Sequence, residues 1–150
     1  MESVDIYPTL AALAGLGPPA DIDGIDLSPL WQTPSAVLKS AAFSEYPRCA
    51  PLAAAWNDTS SCVHTPRANF TFMGYSVRSD VWRCTFWMPW VGEQLAANFT
   101  AGPAAVELYS HAGDTMDDYD AYENENVAKT NPQVVAAHLV IAKQHWEKKL

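Results

Sequence analysis

Two groups of side chains in this sequence could bind a metal ion or act as acids and bases. One is an acidic cluster of carboxylates: Asp114, Asp117, Asp118, Asp120, Glu123 and Glu125. It lacks the glycine and the spacing of a calcium-binding loop, so we interpret it as a solvated acidic turn. The other group is the histidines, His64, His111, His138 and His145, whose spacing fits no metal site. The sequence suggests no serine or cysteine partner for them, and His138 and His145 are expected at the surface or boundary of a helix.

The cysteines and the glycosylation sequons indicate the cellular compartment. Asn57, Asn69 and Asn98 each begin an Asn-x-Ser/Thr sequon, which favours a secreted or lysosomal glycoprotein. In that compartment Cys49 and Cys62 could form a disulfide that closes a short loop. Cys84 lies in a strand-like run and is predicted to be a buried thiol. The alternative is that all three cysteines are free.

The composition narrows the class of protein. A chain of 150 residues with 49% hydrophobic and 17% charged residues is typical of one globular domain, which we place at residues 1–150. The net charge of −8 argues against a nucleic-acid partner, which needs a basic face. No apolar run approaches the roughly 18 residues of a membrane span, and the acidic N-terminus does not resemble a signal peptide.

The elements that must position these side chains are two helices and a small sheet. Residues 5–15 have a helical pattern, with Asp5 as a candidate cap and Ile6, Leu10 and Leu13 on one face. Glycines and prolines predict a surface loop over residues 17–35.

Alternating or β-branched runs predict strands at residues 41–46, 70–78, 81–88 and 106–109, with an irregular insertion at 47–69. Trp82 and Trp87 in the resulting hairpin, and Trp146 on the last helix, are expected in the core rather than stacked on a sugar. Asn131 and Pro132 predict the start of that last helix. The expected fold class is α+β, a small antiparallel sheet of about four strands flanked by an N-terminal and a C-terminal helix.

Five segments in order resemble the C-terminal region of the sulfatase family, in particular its iduronate-2-sulfatase branch. They are residues 4–16, the Asp-Gly-x-x-Leu at 23–27, Phe43 to Arg48, the hairpin from Met73 to Trp87, and Leu95 to Thr100 followed by Glu107 to Tyr109. Asp114-Thr115 departs from the pattern, because many relatives have Asp-Pro after the Glu-Leu-Tyr segment. The resemblance implies a sulfuric ester hydrolase of sulfated glycans, from a lysosomal or secreted protein.

The resemblance also implies that the catalytic groups lie elsewhere. Sulfatases use a formylglycine made from the cysteine of a Cys-x-Pro-Ser-Arg motif, together with a calcium ion held by several oxygens. The family supplies both from an N-terminal domain, which would therefore be the partner of this chain. Cys49-Ala50-Pro51 begins like the motif but lacks its serine and arginine, so we interpret Cys49 as structural and predict no catalytic residue and no metal ligand here.

The remaining role for this region would be to form one wall of the substrate pocket. Tyr46 and Arg48 match a Tyr-Pro-Arg segment that lies near the pocket in the family, and a guanidinium recognises anionic sugar groups bidentately. The alternative is an internal ion pair of Arg48. Two other functions stay open: a stand-alone glycan-binding or interaction module, and another hydrolase of the alkaline phosphatase superfamily.

Overall fold

The structure is a computed structural model that describes residues 1–18, 20–49, 62–115, 117 and 121–147. The chain divides into two compact units, Met1–Ala42 and Phe43–Leu150. A helix precedes an antiparallel sheet, and a second helix follows it, so the predicted α+β class is confirmed. Neither helix within the described ranges has the length and apolar run that crossing a bilayer requires.

The first unit is organised around a buried carboxylate. A 3-10 turn, Ser3–Asp5, leads into helix α1, Ile6–Leu13. The Asp5 carboxylate, which we expected to cap this helix, instead accepts hydrogen bonds from Lys39 Nζ at 2.8 Å and from the Ile25 amide at 3.1 Å. Burial by itself raises the pKa of Asp5, but the Lys39 and backbone hydrogen bonds outweigh it, so the pKa is lowered. The charge pair therefore ties the helix to the loop that follows.

Helix α1 buries Pro8 and Thr9 and leaves its large apolar side chains exposed. Thr9 is buried, donates to the Asp5 carbonyl at 2.6 Å and accepts the Leu27 amide at 3.0 Å. The large apolar residues Ile6, Tyr7, Leu10 and Leu13 are between 49% and 59% exposed. The apolar face predicted from the sequence therefore exists, but it does not line a core within the described residues.

Gly24 is required by the close approach of two backbone segments. A Cβ atom at this position would lie 1.9 Å from the Val4 carbonyl oxygen, far inside van der Waals contact. The approach brings the Asp23-Gly24 segment against the start of α1, next to the Ile25 amide that Asp5 binds. The packing of Gly24 against Val4 thus explains why the Asp-Gly-x-x-Leu pattern at 23–27 has a glycine at this position.

The second unit contains the five-stranded sheet. Its strands are β1 (Ala42–Arg48), β2 (Phe72–Arg78), β3 (Trp82–Val91), β4 (Ala96–Ala97) and β5 (Ala105–Ser110). The β2–β3 hairpin closes with a hydrogen bond from the Ser79 amide to the Trp82 carbonyl at 2.9 Å. The long β3 pairs antiparallel with β2 and also with β5 and β4. The two-residue β4 is the strand that the sequence pattern did not predict.

One face of the sheet forms the core of this unit. Val77, Cys84, Phe86, Met88 and Leu108 have no exposed surface. Burial raises the pKa of the Cys84 thiol to about 12, so the thiol stays protonated and unreactive. The side chains on this face are the alternate residues of β2, β3 and β5, as the period of a half-buried strand requires.

Helix α2, Pro132–Trp146, carries the aromatic and small residues that contact this core. Its Ala142 is fully buried, and the Trp146 ring lies 4.5 Å from the Tyr75 ring. Asn131 occupies the cap position, but its side chain donates backward, to the Val127 carbonyl, and makes no cap hydrogen bond. His138, expected at the surface or boundary, is only 6% exposed.

Candidate functional site

The opposite face of the sheet is polar and carries the candidate site. The strand register sets Arg83 opposite Tyr109 and Thr85 opposite Glu107, with Trp87 two residues further along β3 on the same side. The hydroxyls of Ser76 and Thr85 lie 2.5 Å apart. We call this surface, formed by Ser76, Arg83, Thr85, Trp87, Glu107 and Tyr109, the polar sheet face.

Trp87 is held in position at one end of the polar sheet face. It pairs with Gly74 on β2, and a Cβ atom at Gly74 would lie 2.8 Å from the indole ring. The indole N–H donates to Glu107 Oε1 at 2.9 Å, which fixes the orientation of the ring. We expected Trp87 in the apolar core, and this prediction is wrong, because Trp87 and the fully buried Phe86 are adjacent and lie on opposite faces.

Arg48 lies over this tryptophan. Its guanidinium carbon is 5.8 Å from the centre of the Trp87 ring, within the range of a cation–π interaction. Tyr46, two residues earlier on β1, points to the same side of the strand and is 56% exposed. The sequence therefore placed both candidate substrate-binding residues on one strand, and the structure brings Arg48 to the polar sheet face.

A charged cluster that sequence reasoning missed extends this face. The Arg83 guanidinium donates two hydrogen bonds to the Glu123 carboxylate, one of them at 2.6 Å, and its carbon lies 5.1 Å from the centre of the Tyr109 ring. The His111 ring nitrogens face the carboxylates of Asp114 at 2.7 Å and Glu123 at 2.9 Å. We interpreted the acidic residues as a solvated turn, whereas Glu123 forms an ion pair with Arg83 and both Glu123 and Asp114 lie within hydrogen-bond distance of His111.

The charges in this cluster shift two pKa values. Burial raises the pKa of Glu123, but the hydrogen bonds and charge of Arg83, followed by those of His111, lower it below its usual 4.5 overall. The pKa of Tyr109 is raised, first by burial and then by the Glu107 carboxylate. Asp118 and Asp120, which belong to the same acidic run, lie outside the described residues.

A serine–histidine contact joins α2 to the hairpin. Ser79 Oγ lies 3.1 Å from His138 Nε2, and His138 Nδ1 lies 2.9 Å from the Val134 carbonyl oxygen. The carbonyl can only accept, so Nδ1 carries a proton, while the single Ser79 hydroxyl proton has two acceptors in reach, His138 Nε2 and the Trp82 carbonyl at 3.3 Å. The sequence suggested no serine partner for the histidines, because these two residues are far apart in the chain.

The covalent sites predicted from the sequence lie next to the sheet. Cys49, directly after β1, forms a disulfide with Cys62, and their Cα atoms are 5.7 Å apart. Asn69 is exposed in the short helix Arg67–Asn69, whereas Asn98 accepts the Ala101 amide at 3.0 Å through its side-chain oxygen. Asn57 lies outside the described residues.

The described residues offer no ligand set for the calcium ion of a sulfatase. No group of three or more His, Cys, Asp and Glu side chains in the part of the chain that the structure describes is arranged to hold a metal. The disulfide also occupies Cys49, the one cysteine whose sequence begins like a formylglycine motif.

The chain is similar to a curated sulfatase. It is 27% identical over 147 residues to the iduronate 2-sulfatase of Mus musculus, and the match covers 83% of the chain. The chain spans about a quarter (25%) of the length of that protein. It matches no protein-family model. This similarity supports a sulfatase-like relationship.

Proposed function

We propose that this chain is the C-terminal part of a sulfatase that hydrolyses sulfuric esters of glycans in the lysosome or outside the cell. The observation that carries the proposal is the similarity over 83% of the chain to one quarter of a much longer sulfatase. The formylglycine and the calcium ion would be supplied by an N-terminal domain, and the chain alone would be inactive.

The first helix supports this assignment. A monomeric protein rarely leaves a contiguous apolar helix face exposed, and such a face usually marks a contact surface. Ile6, Tyr7, Leu10 and Leu13 together form such a face on α1. We propose that the missing catalytic domain covers it.

Arg48 and Tyr46 would contribute to recognition of the substrate. The Trp87 ring supports the Arg48 guanidinium at 5.8 Å, which limits the freedom of the side chain. A sulfated sugar presents anionic oxygens that a guanidinium binds with two parallel hydrogen bonds. Asn69 and Asn98, together with Asn57, are the proposed sites of N-glycosylation.

A chimera tests the proposal. The aligned quarter of the mouse sulfatase is replaced by this chain, and sulfate release from a sulfated iduronate substrate is measured. We expect a secreted chimera with measurable turnover, and an Arg48→Ala variant with a loss of about tenfold or more, the size of one charge-assisted recognition contact. Arg67→Ala is the matched control, because Arg67 is an exposed arginine outside the polar sheet face.

Two results would contradict the proposal. One is a folded, secreted chimera with no turnover, or one in which Arg48→Ala and Arg67→Ala behave alike. The other is sulfatase activity of the 150-residue chain by itself. Tight binding of a sulfated oligosaccharide by the isolated chain, without any contribution to catalysis in the chimera, would favour a stand-alone binding module instead.

A further inference from the structure

His111 is placed between two carboxylates, one at each ring nitrogen. Nδ1 is 2.7 Å from Asp114 Oδ2, and Nε2 is 2.9 Å from Glu123 Oε1. A neutral imidazole has one N–H group and can donate to only one of them, so its other nitrogen would face a carboxylate lone pair. The imidazolium donates to both. This geometry is therefore fully satisfied only when His111 is charged.

The charge balance of the cluster leads to the same conclusion. Among the described residues that face His111, the carboxylates of Asp114 and Glu123 carry two negative charges, and Arg83, bound to Glu123, carries one positive charge. An imidazolium places a positive charge between the two carboxylates, whereas a neutral ring places none there. The remaining neighbour is the Tyr122 ring, stacked at 5.7 Å from the imidazole.

The backbone at Glu123 needs this cluster. Its φ of +69° lies in the left-handed region, which is unfavourable for a residue with a side chain. Such a conformation persists when surrounding contacts hold it, and here those contacts are the hydrogen bonds from Arg83 and His111 to the Glu123 carboxylate. Losing one of them removes part of what maintains the strained backbone.

The chain on either side of the cluster is anchored independently. His111 directly follows β5, and its amide donates to the Val81 carbonyl at 2.8 Å. Asn126 accepts the Leu108 amide at 3.1 Å and donates to the Val106 carbonyl at 3.0 Å, which fixes the other end to the same strand. The contacts of His111 and Glu123 thus help to hold the described residues between these anchors, 112–115 and 121–125.

We propose that His111 is a pH-dependent latch: its imidazolium joins Asp114 to Glu123 and holds residues 111–115 and 121–125 beside the polar sheet face, and loss of its proton releases them. Glu123 binds Arg83, which lies on that face next to Tyr109. Release would therefore change the surroundings of Arg83. The latch does not depend on the proposed sulfatase function.

The sign of the pH dependence follows from the two groups. Only the imidazolium donates to both carboxylates, so its contribution is present at low pH and is lost once the pH rises far enough to remove the ring proton. The pKa of Glu123 is lowered, so the stability from its carboxylate is present above its usual 4.5 and is lost as the pH falls further. The latch should hold best between these limits, in mildly acidic solution.

Amide hydrogen exchange of the 150-residue chain, corrected for the intrinsic pH dependence of exchange, tests the latch. We expect the amides of residues 111–115 and 121–125 to lose about tenfold in protection between pH 5.5 and pH 7.5, while core amides of β3 do not change. His111→Gln, which is neutral at both pH values, should show the unlatched exchange throughout. His64→Gln is the matched control, since His64 is exposed and makes none of these contacts.

A second variant and a direct readout keep the test decisive. Asp114→Asn removes one carboxylate from His111 with little change of shape, so it should move the midpoint of the histidine titration, followed by NMR of the ring nitrogens, to lower pH. The latch is refuted if protection is flat over this pH range in the wild-type chain. It is equally refuted if His111→Gln retains the pH dependence, or if Asp114→Asn leaves the titration of His111 unchanged.

Discussion

The two faces of the sheet are made from adjacent residues of the same strands, yet they are held by different kinds of interaction. On the core face Phe86, Met88 and Leu108 are completely buried, and any well-packed apolar side chain of similar volume would serve. On the polar sheet face each contact is a specific pair, such as Trp87 with Glu107 and Arg83 with Glu123. The core face therefore supplies most of the stability, and the polar face supplies positions for charged groups.

Neighbouring residues of β5 allow a direct test of this difference. Leu108 is fully buried and Glu107 lies on the polar sheet face. We expect Leu108→Ala to lower the free energy of unfolding by about 2–5 kcal/mol, because it removes buried methyl groups and leaves a cavity. Glu107→Ala should cost less, about 1.5 kcal/mol, because it removes the two partly buried hydrogen bonds that Glu107 accepts from Trp87 and Tyr109. Urea unfolding measures both free-energy changes, provided that the m-value is unchanged. Equal losses of stability in the two variants would contradict the distinction between the faces.

The tight contact between Gly74 and Trp87 is the place where the polar face depends on packing. An alanine methyl group at Gly74 would meet the indole ring at 2.8 Å, so we expect Gly74→Ala to cost about 1–3 kcal/mol by overpacking. It should also displace Trp87 from Glu107 and from Arg48. Adding Trp87→Leu to Gly74→Ala should recover part of the lost stability, because it removes the ring that the new methyl group meets. Strictly additive effects in this double-mutant cycle would instead show that the ring can move away freely.

The sequence predicted the elements well because their signals are local. Alternation of apolar residues identified β2, β3 and β5, and Pro132 after Asn131 marked the start of α2. The two-residue β4 has no pattern of its own, because it is a strand only through its pairing with Trp90 and Val91 of β3. The sequence also located the first helix, but not the side chains that it buries. The apolar pattern does not reveal that Thr9 and Asp5 are buried.

The candidate site was predicted less completely, since its contacts join residues that are distant in sequence. The parity of the strand positions could have separated Trp87 from Phe86, and the register then places Glu107 beside Thr85. Nothing local predicts that Glu123 reaches Arg83, 40 residues away, or that Ser79 meets His138, 59 residues away. Arg48 was selected through the family resemblance, and its position over Trp87 depends on how β1 joins the sheet.

The smallest expected difference in stability is between substitutions of Arg78 and Arg83. These two arginines lie opposite each other next to the turn of the β2–β3 hairpin. Arg83 binds Glu123 bidentately and lies over Tyr109, whereas Arg78 donates to the backbone carbonyls of Ser79 and Asp80. Lysine cannot reproduce the planar fork, so Arg83→Lys should cost about 0.5–1 kcal/mol and Arg78→Lys less than that.

Salt distinguishes the electrostatic part of this effect from packing. The side chains of Arg83 and Glu123 are 28% and 34% exposed, so added salt screens their attraction only in part. We expect the cost of the charge-removing variant Arg83→Gln, measured by urea unfolding, to shrink between about 0.05 M and 1 M salt, where the screening length falls to roughly 3 Å. The cost of Arg78→Gln should stay nearly constant, because Arg78 donates to backbone carbonyls. If both variants respond to salt alike, the bidentate pair adds nothing to the polar sheet face beyond what any surface charge provides.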